Sequence, residues 1–126
     1  MRVFKVKVFA RFQRGERLSD NALCQAVHDA EAGLIDADLG SGLIKLRLAR
    51  PGQGKRGGYR TILAYRMRDR AVFLFGFAKS GKAKLEPDEL ADLVQAGARW
   101  LHAKDDVIGA AIIDARLMEV DCGWEN

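Results

Sequence analysis

The chain has 126 residues, 48% of them apolar and 30% charged, which suits one folded domain with one core and excludes the apolar-poor composition of disorder. No apolar run is long enough to span a bilayer, and Met1–Lys5 opens on a charged alternation instead of a signal-peptide core, so the expected address is the cytoplasm, with no membrane partner. The formal net charge of +4 is segregated: residues 41–84 hold twelve Lys or Arg and one acid, Asp69, whereas residues 85–126 hold three bases and ten acids.

Val3 to Phe9 alternates, with Phe4, Val6 and Val8 on one side and Lys5 and Lys7 on the other, the period of a half-buried strand. A helical stretch is expected over Phe9 to Arg17. Ser19-Asp20-Asn21 then starts a helix in which Leu23, Ala26, Val27 and Ala30 recur at helical spacing until Gly33 ends it. Ile44, Leu46 and Leu48 alternate with Lys45 and Arg47, so a strand here turns two cations outward. Residues 50–58, with four glycines and Pro51, read as a mobile basic loop. Tyr59 to Met67 and Ala71 to Phe77 read as strands of a hairpin around Arg68-Asp69-Arg70, with Phe73, Phe75 and Phe77 on one face. Pro87 opens a helix whose first turn carries Asp88 and Glu89, followed by an apolar stripe through Leu90, Leu93, Val94, Gly97, Ala98 and Leu101. Residues 105–126 form a C-terminal extension, with a short helix over Val107 to Ala115 and a short strand over Leu117 to Val120. The order predicts a compact α+β fold: a largely antiparallel sheet flanked by helices, in one domain over residues 1–126.

Segregated positive charge is the footprint of a surface that meets a polyanion, and nucleic acid is the first suspect. Lys45 and Arg47 share the outward face of one strand, and Arg60 starts a face of the next. With strands less than about 5 Å apart, Lys45, Arg47, Arg60 and Lys79 can converge on one phosphate if their faces coincide. Residues 76–83 carry the glycine and lysine spacing of a nucleotide-binding loop, but Ala83 stands where a hydroxyl should meet magnesium, so an ATP or GTP site is not expected. His28 and His102 fall in helices outside the basic block, and neither pairs with the other. Asp105 and Asp106 are adjacent and do not face one another, which suits a solvated helix terminus. Trp100 flanks the apolar stripe and is expected to pack against the sheet. Cys24 and Cys122 stand far apart, without the spacing of a zinc site or a disulfide framework, and are read as free thiols.

The runs Gly42-Leu-Ile-Lys-Leu-Arg47, Gly58-Tyr-Arg-Thr-Ile-Leu-Ala-Tyr65 and Val72-Phe-Leu-Phe-Gly-Phe-Ala-Lys79, with the glycine-rich basic loop between the first two, resemble the RelE/HigB superfamily of toxins from bacterial type II toxin-antitoxin modules. The likeness covers about residues 1–104 and is concentrated in 42–79. It implies a toxin that cuts messenger RNA on the ribosome by attack of a 2′-hydroxyl on the neighbouring phosphorus, a chemistry that uses no metal or cofactor. By position, Arg60 matches the arginine that holds the phosphate, and Lys45 and Arg47 match a basic pair, one member of which serves in proton transfer. Arg47 stays protonated and makes a poor base. Where many relatives present an arginine and then a stacking tyrosine, this chain has Lys79, Lys82 and Lys84 and no tyrosine, so Lys79 or Lys82 is the candidate proton donor or charge stabiliser. Arg50, Lys55, Arg56, Arg66 and Lys84 are candidate RNA contacts. The resemblance also implies a cognate antitoxin, for which a helix-turn-helix protein is one candidate. Two alternatives stay open: a non-catalytic toxin that binds a protein target such as DNA gyrase, and a basic nucleic-acid-binding module.

Overall fold

A computed structural model describes residues 1–50, 54–78 and 85–124, with the backbone alone for Arg50 and residues 54–57. The elements are β1 (Arg2–Val6), α1 (Lys7–Gly15), α2 (Asp20–Glu31), β2 (Ala37–Gly40), β3 (Leu43–Arg50), β4 (Gly54–Arg66), β5 (Arg70–Ala78), α3 (Pro87–His102), α4 (Asp105–Ile113) and β6 (Leu117–Val120). The strands form one sheet in the order β2-β3-β4-β5-β1-β6. Among the described residues the β1–β5 pairing is parallel and the other four pairings are antiparallel. An α+β fold with a largely antiparallel sheet and flanking helices is therefore what the chain adopts.

Helices cover both faces of the sheet. On one side, Phe9 of α1 and Leu23 and Val27 of α2 pack with Leu46, Leu48, Tyr59, Leu63 and Phe73. On the other, Trp100 and Leu101 of α3 and Ile108 of α4 pack with Phe4, Leu43, Ile62, Ala64, Val72 and Leu74. Gly97 lets α3 approach closely, since a Cβ there would stand 2.9 Å from the Leu43 side chain and 3.2 Å from that of Ala64. Ser19 caps α2 by accepting from the Ala22 N–H at 3.2 Å, and Glu86 and Glu89 form a capping box around Pro87 at the start of α3. The C-terminal segment belongs to the packed structure: Ile108, Ala111 and Leu117 are fully buried, and β6 pairs with β1.

The structure corrects several expectations. The strand expected over Val3 to Phe9 stops at Val6, and α1 runs over Lys7–Gly15 instead of Phe9 to Arg17. The helix brings Phe9 to 5.1 Å from Phe73 and Phe12 to 5.6 Å from Tyr59, between ring centroids, and it leaves Val8 exposed. Gly54 to Gly58 belong to β4 and not to a loop, because the β3–β4 ladder resumes at Arg50 and Gly54 after a register shift. Phe73 does not share a face with Phe75 and Phe77. Register slips between the pairs Ile62 with Phe75 and Leu63 with Phe73, so a β-bulge at Leu74 turns the later phenylalanines to the α3 side. Cys24 and Cys122 are joined in a disulfide across 98 residues, not left as free thiols; the fold carries their Cα atoms to 5.6 Å, a proximity invisible in their spacing. β2, too short to show a period, was not anticipated, and it follows Asp36 at the sheet edge. Gly40, Ser41 and Gly42 all take positive φ in the turn to β3, where glycine is favoured.

Candidate nucleic-acid interface

Strands β3, β4 and β5 lay their side chains out in rows. One row reads Arg47, Arg60, Phe77 and the next reads Lys45, Ile62, Phe75, because residues directly opposite in an antiparallel ladder share a face. The third row, Leu43 and Ala64, lies under Gly97 of α3. The α3 face thus changes along the strands from an apolar floor to a group of cations. Alternation alone accounts for the convergence of Lys45, Arg47 and Arg60, since each sits an even number of residues from an inward apolar neighbour on that face.

A single carboxylate organises this group. Asp36 stands just ahead of β2, fixed by its backbone N–H donating to the Lys45 carbonyl at 2.9 Å. Its Oδ1 accepts from Arg47 Nε at 2.8 Å, while its Oδ2 lies 3.6 Å from Lys45 Nζ and 3.7 Å from Arg60 Nε. The first contact is a charge-assisted hydrogen bond and the other two are ion pairs without one. Burial pushes the Asp36 carboxyl up, but the Arg47 hydrogen bond and the charges of Arg47, Lys45 and Arg60 outweigh it and hold the group below the usual carboxylate range. Asp36 is therefore ionised, and the group keeps a surplus of positive charge.

Arg60 is the most enclosed member. Its side chain is 11% exposed against 47% for Arg47. Its Nη1 is buried with no hydrogen-bond acceptor among the described residues. Buried polar atoms are satisfied in the great majority of cases, and an unsatisfied charged donor costs more than a neutral one. An anionic oxygen placed at Nη1 removes that cost, and the planar fork of Arg suits a phosphate.

The remaining basic candidates divide. Arg66 lies at the far end of β4, where its Nη1 donates to Asp69 at 2.8 Å and its Nη2 to the Leu101 carbonyl at 2.7 Å. It is not brought to Arg60. The side chains of Arg50, Lys55 and Arg56, and all of Lys79, Lys82 and Lys84, lie outside the described residues. Ala78, the last described residue before Lys79, pairs with Tyr59 beside Arg60. His28 and His102 are exposed on their helices, away from the cluster, and His102 Nδ1 lies 2.9 Å from the Ala98 carbonyl of its own helix. Tyr59 is buried in the core, and the Tyr65 hydroxyl donates to Glu31; burial first, and then this bond, raise its pKa well above the ordinary phenol value. Asp36 is the member that sequence reasoning missed. Its place follows from β2, whose four residues carry no periodic signal.

A family model described as the RelE toxin of the RelE / RelB toxin-antitoxin system matches residues 1–120. No curated protein matches the chain. Among the described residues, no helix is long and apolar enough to cross a membrane.

Proposed function

The chain belongs to the RelE toxin family, and so is a toxin of a toxin-antitoxin system with a cognate antitoxin as partner; on that premise we propose that it is a ribosome-dependent messenger-RNA endoribonuclease. The observation that carries this reading is the enclosed Arg60 guanidinium, with Nη1 unpaired among the described residues and Arg47 beside it in the same row. In the proposed reaction the 2′-oxygen attacks the adjacent phosphorus, the bond to the 5′-oxygen breaks, and a cyclic phosphate and a 5′-hydroxyl result. One proton leaves the 2′-hydroxyl and one reaches the departing 5′-oxygen. Arg60 holds the phosphate and Arg47 adds charge as the extra negative charge develops at phosphorus. Lys45 is the member of this trio able to exchange a proton, since Arg stays protonated. Lys79 or Lys82 supplies the other proton or further charge, and Arg50, Lys55, Arg56 and Lys84 guide the strand.

The test is primer-extension mapping of a reporter message in a reconstituted translation reaction, with and without ribosomes, comparing the natural chain with Arg60→Ala. Cuts that need both ribosomes and Arg60 are expected. Cuts on free RNA would remove the ribosome from the reading, and an intact message with folded, growth-inhibiting protein would replace the nuclease by a toxin that binds without cutting.

A further inference from the structure

Residues directly opposite in an antiparallel pair bring their side chains together, and like charges placed there repel. Arg47 of β3 and Arg60 of β4 are such a pair. Arg60 is enclosed, but Arg47 is half-exposed, and its long side chain gains rotamer freedom and distance from Arg60 by turning out to solvent. Asp36 reverses that preference. Its Oδ1 accepts from Arg47 Nε at 2.8 Å and its Oδ2 lies 3.7 Å from Arg60 Nε, so one carboxylate faces the same nitrogen of both guanidiniums. A guanidinium met at Nε keeps its Nη1 edge for a second anion. The chain around Asp36 holds it in place: its N–H donates to the Lys45 carbonyl at 2.9 Å, Ala37 pairs with Lys45, and positive φ at Gly40, Ser41 and Gly42 folds β2 back onto β3. Its side chain is 13% exposed, so it stands among the cations and not on their rim.

We propose that Asp36 is a positioning residue for RNA cleavage, which holds the Arg47 guanidinium beside that of Arg60 so that both meet the same phosphate. The inference rests on the nuclease reading and gives a role to the one acid in a group otherwise built of cations. Asp36 does not itself take the proton. Against burial, which pushes it up, the Arg47 hydrogen bond and the charges of Arg47, Lys45 and Arg60 hold its carboxyl below the usual range, and so weak a base is a poor acceptor. An acid on a face that meets RNA opposes the phosphates and costs affinity. What it returns is placement, and placement acts on the rate, where a shift of about 1 Å costs up to about 100-fold. Binding and cleavage therefore respond to Asp36 in opposite directions.

The experiment takes the natural chain, Asp36→Asn, Arg47→Ala and the double variant through two measurements on ribosomes programmed with a reporter message. One is the single-turnover cleavage rate at saturating protein, per folded molecule. The other is affinity for the same message blocked by a 2′-O-methyl group at the scissile nucleotide. Asparagine keeps the shape of Asp36 and an acceptor oxygen but not the charge. Asp36→Asn is expected to cut about 10- to 100-fold more slowly while binding at least as tightly as the natural chain. In the Arg47→Ala background the same substitution should cost almost nothing further, because the group it acts through is gone. The positioning role is overturned if Asp36→Asn cuts at the natural rate or faster, if its binding weakens in step with its cleavage, or if its loss is undiminished without Arg47. Should the asparagine variant fail to fold, Arg47→Ala decides: slowed cleavage sustains the role, and cleavage at the natural rate overturns it, since Asp36 then has nothing to act through. Each of these outcomes leaves the nuclease reading standing. If the natural chain makes no cuts on programmed ribosomes, that reading falls and the positioning role with it.

Discussion

The β4–β5 ladder has Arg66 and Arg70 as its pair at the hairpin end and Arg60 next to its last pair at the other, and the two ends treat them differently. At the hairpin end, Arg70 is buried and donates to the Trp100 carbonyl at 2.6 Å and the Ala103 carbonyl at 2.8 Å, with Asp105 at 3.7 Å, while Arg66 donates to Leu101. These are cations placed on the last carbonyls of α3, where the helix dipole is negative. At the other end, Arg60 is equally enclosed but its nearest acid contact is 3.7 Å away and Nη1 has no acceptor among the described residues. Charge counting scores both ends alike. Hydrogen-bond accounting separates arginines whose donors are spent on the fold from one that keeps a buried donor unpaired among the described residues.

Four measurements break or sharpen that contrast. Arg60→Ala should cut message cleavage by about 100-fold or more, the scale of losing one preorganised charge at a transition state, with its melting temperature little changed. A collapse in stability would place Arg60 with the structural arginines. Arg70→Met should do the reverse, destabilising the chain by about 3 kcal/mol because two buried carbonyls lose their donor, as read by urea denaturation, while cleavage per folded molecule holds. Arg66→Ala should cost about 1 kcal/mol, as its side chain is half exposed, and should leave the salt dependence of RNA binding unchanged; a shallower salt slope would return Arg66 to the RNA face. The smallest effect concerns Asp36. Its folded pKa is depressed, so between the folded and unfolded values the unfolded chain binds more protons and stability rises with pH. This contribution is complete above the ordinary carboxylate value near about 3.9 and is lost as pH falls through the folded value. Asp36→Asn should flatten that acid limb in a stability profile, and an unchanged limb would dissociate Asp36 from the cluster.

Much of this architecture is legible in the sequence where one period dominates. Ile44, Leu46 and Leu48 fix the face of β3, and with it Lys45 and Arg47; Ser19 and Pro87 mark helix starts that the structure keeps. The failures share a cause, which is competition between local patterns or dependence on distant partners. Val6 to Phe9 fits both a strand and a helix, and the rings of Tyr59 and Phe73 decide for the helix. The bulge at Leu74 is a property of the ladder with β4, so no count along β5 reveals that Phe77 changes sides. Asp36 and the Cys24–Cys122 bond both depend on where the chain returns after many residues. For the site, the residue types of Lys45, Arg47 and Arg60 were readable, whereas the engagement of Arg66 at the end of α3 was not, because the carbonyl of Leu101 that accepts from it has no signature in composition.

The position of β1 has a consequence for biosynthesis. Of the six strands it is translated first, yet its neighbours are β5 and β6: Arg2 pairs with Arg70 and Val3 with Val120. It must wait unpaired while the intervening strands are made, and contacts of such long sequence separation form slowly. A nascent chain that has not reached Leu117 exposes the outer edge of β1, an aggregation-prone edge. The sheet that carries the basic cluster is thus closed on this side by β6, so the outer edge of β1 stays open until Leu117–Val120 has been made.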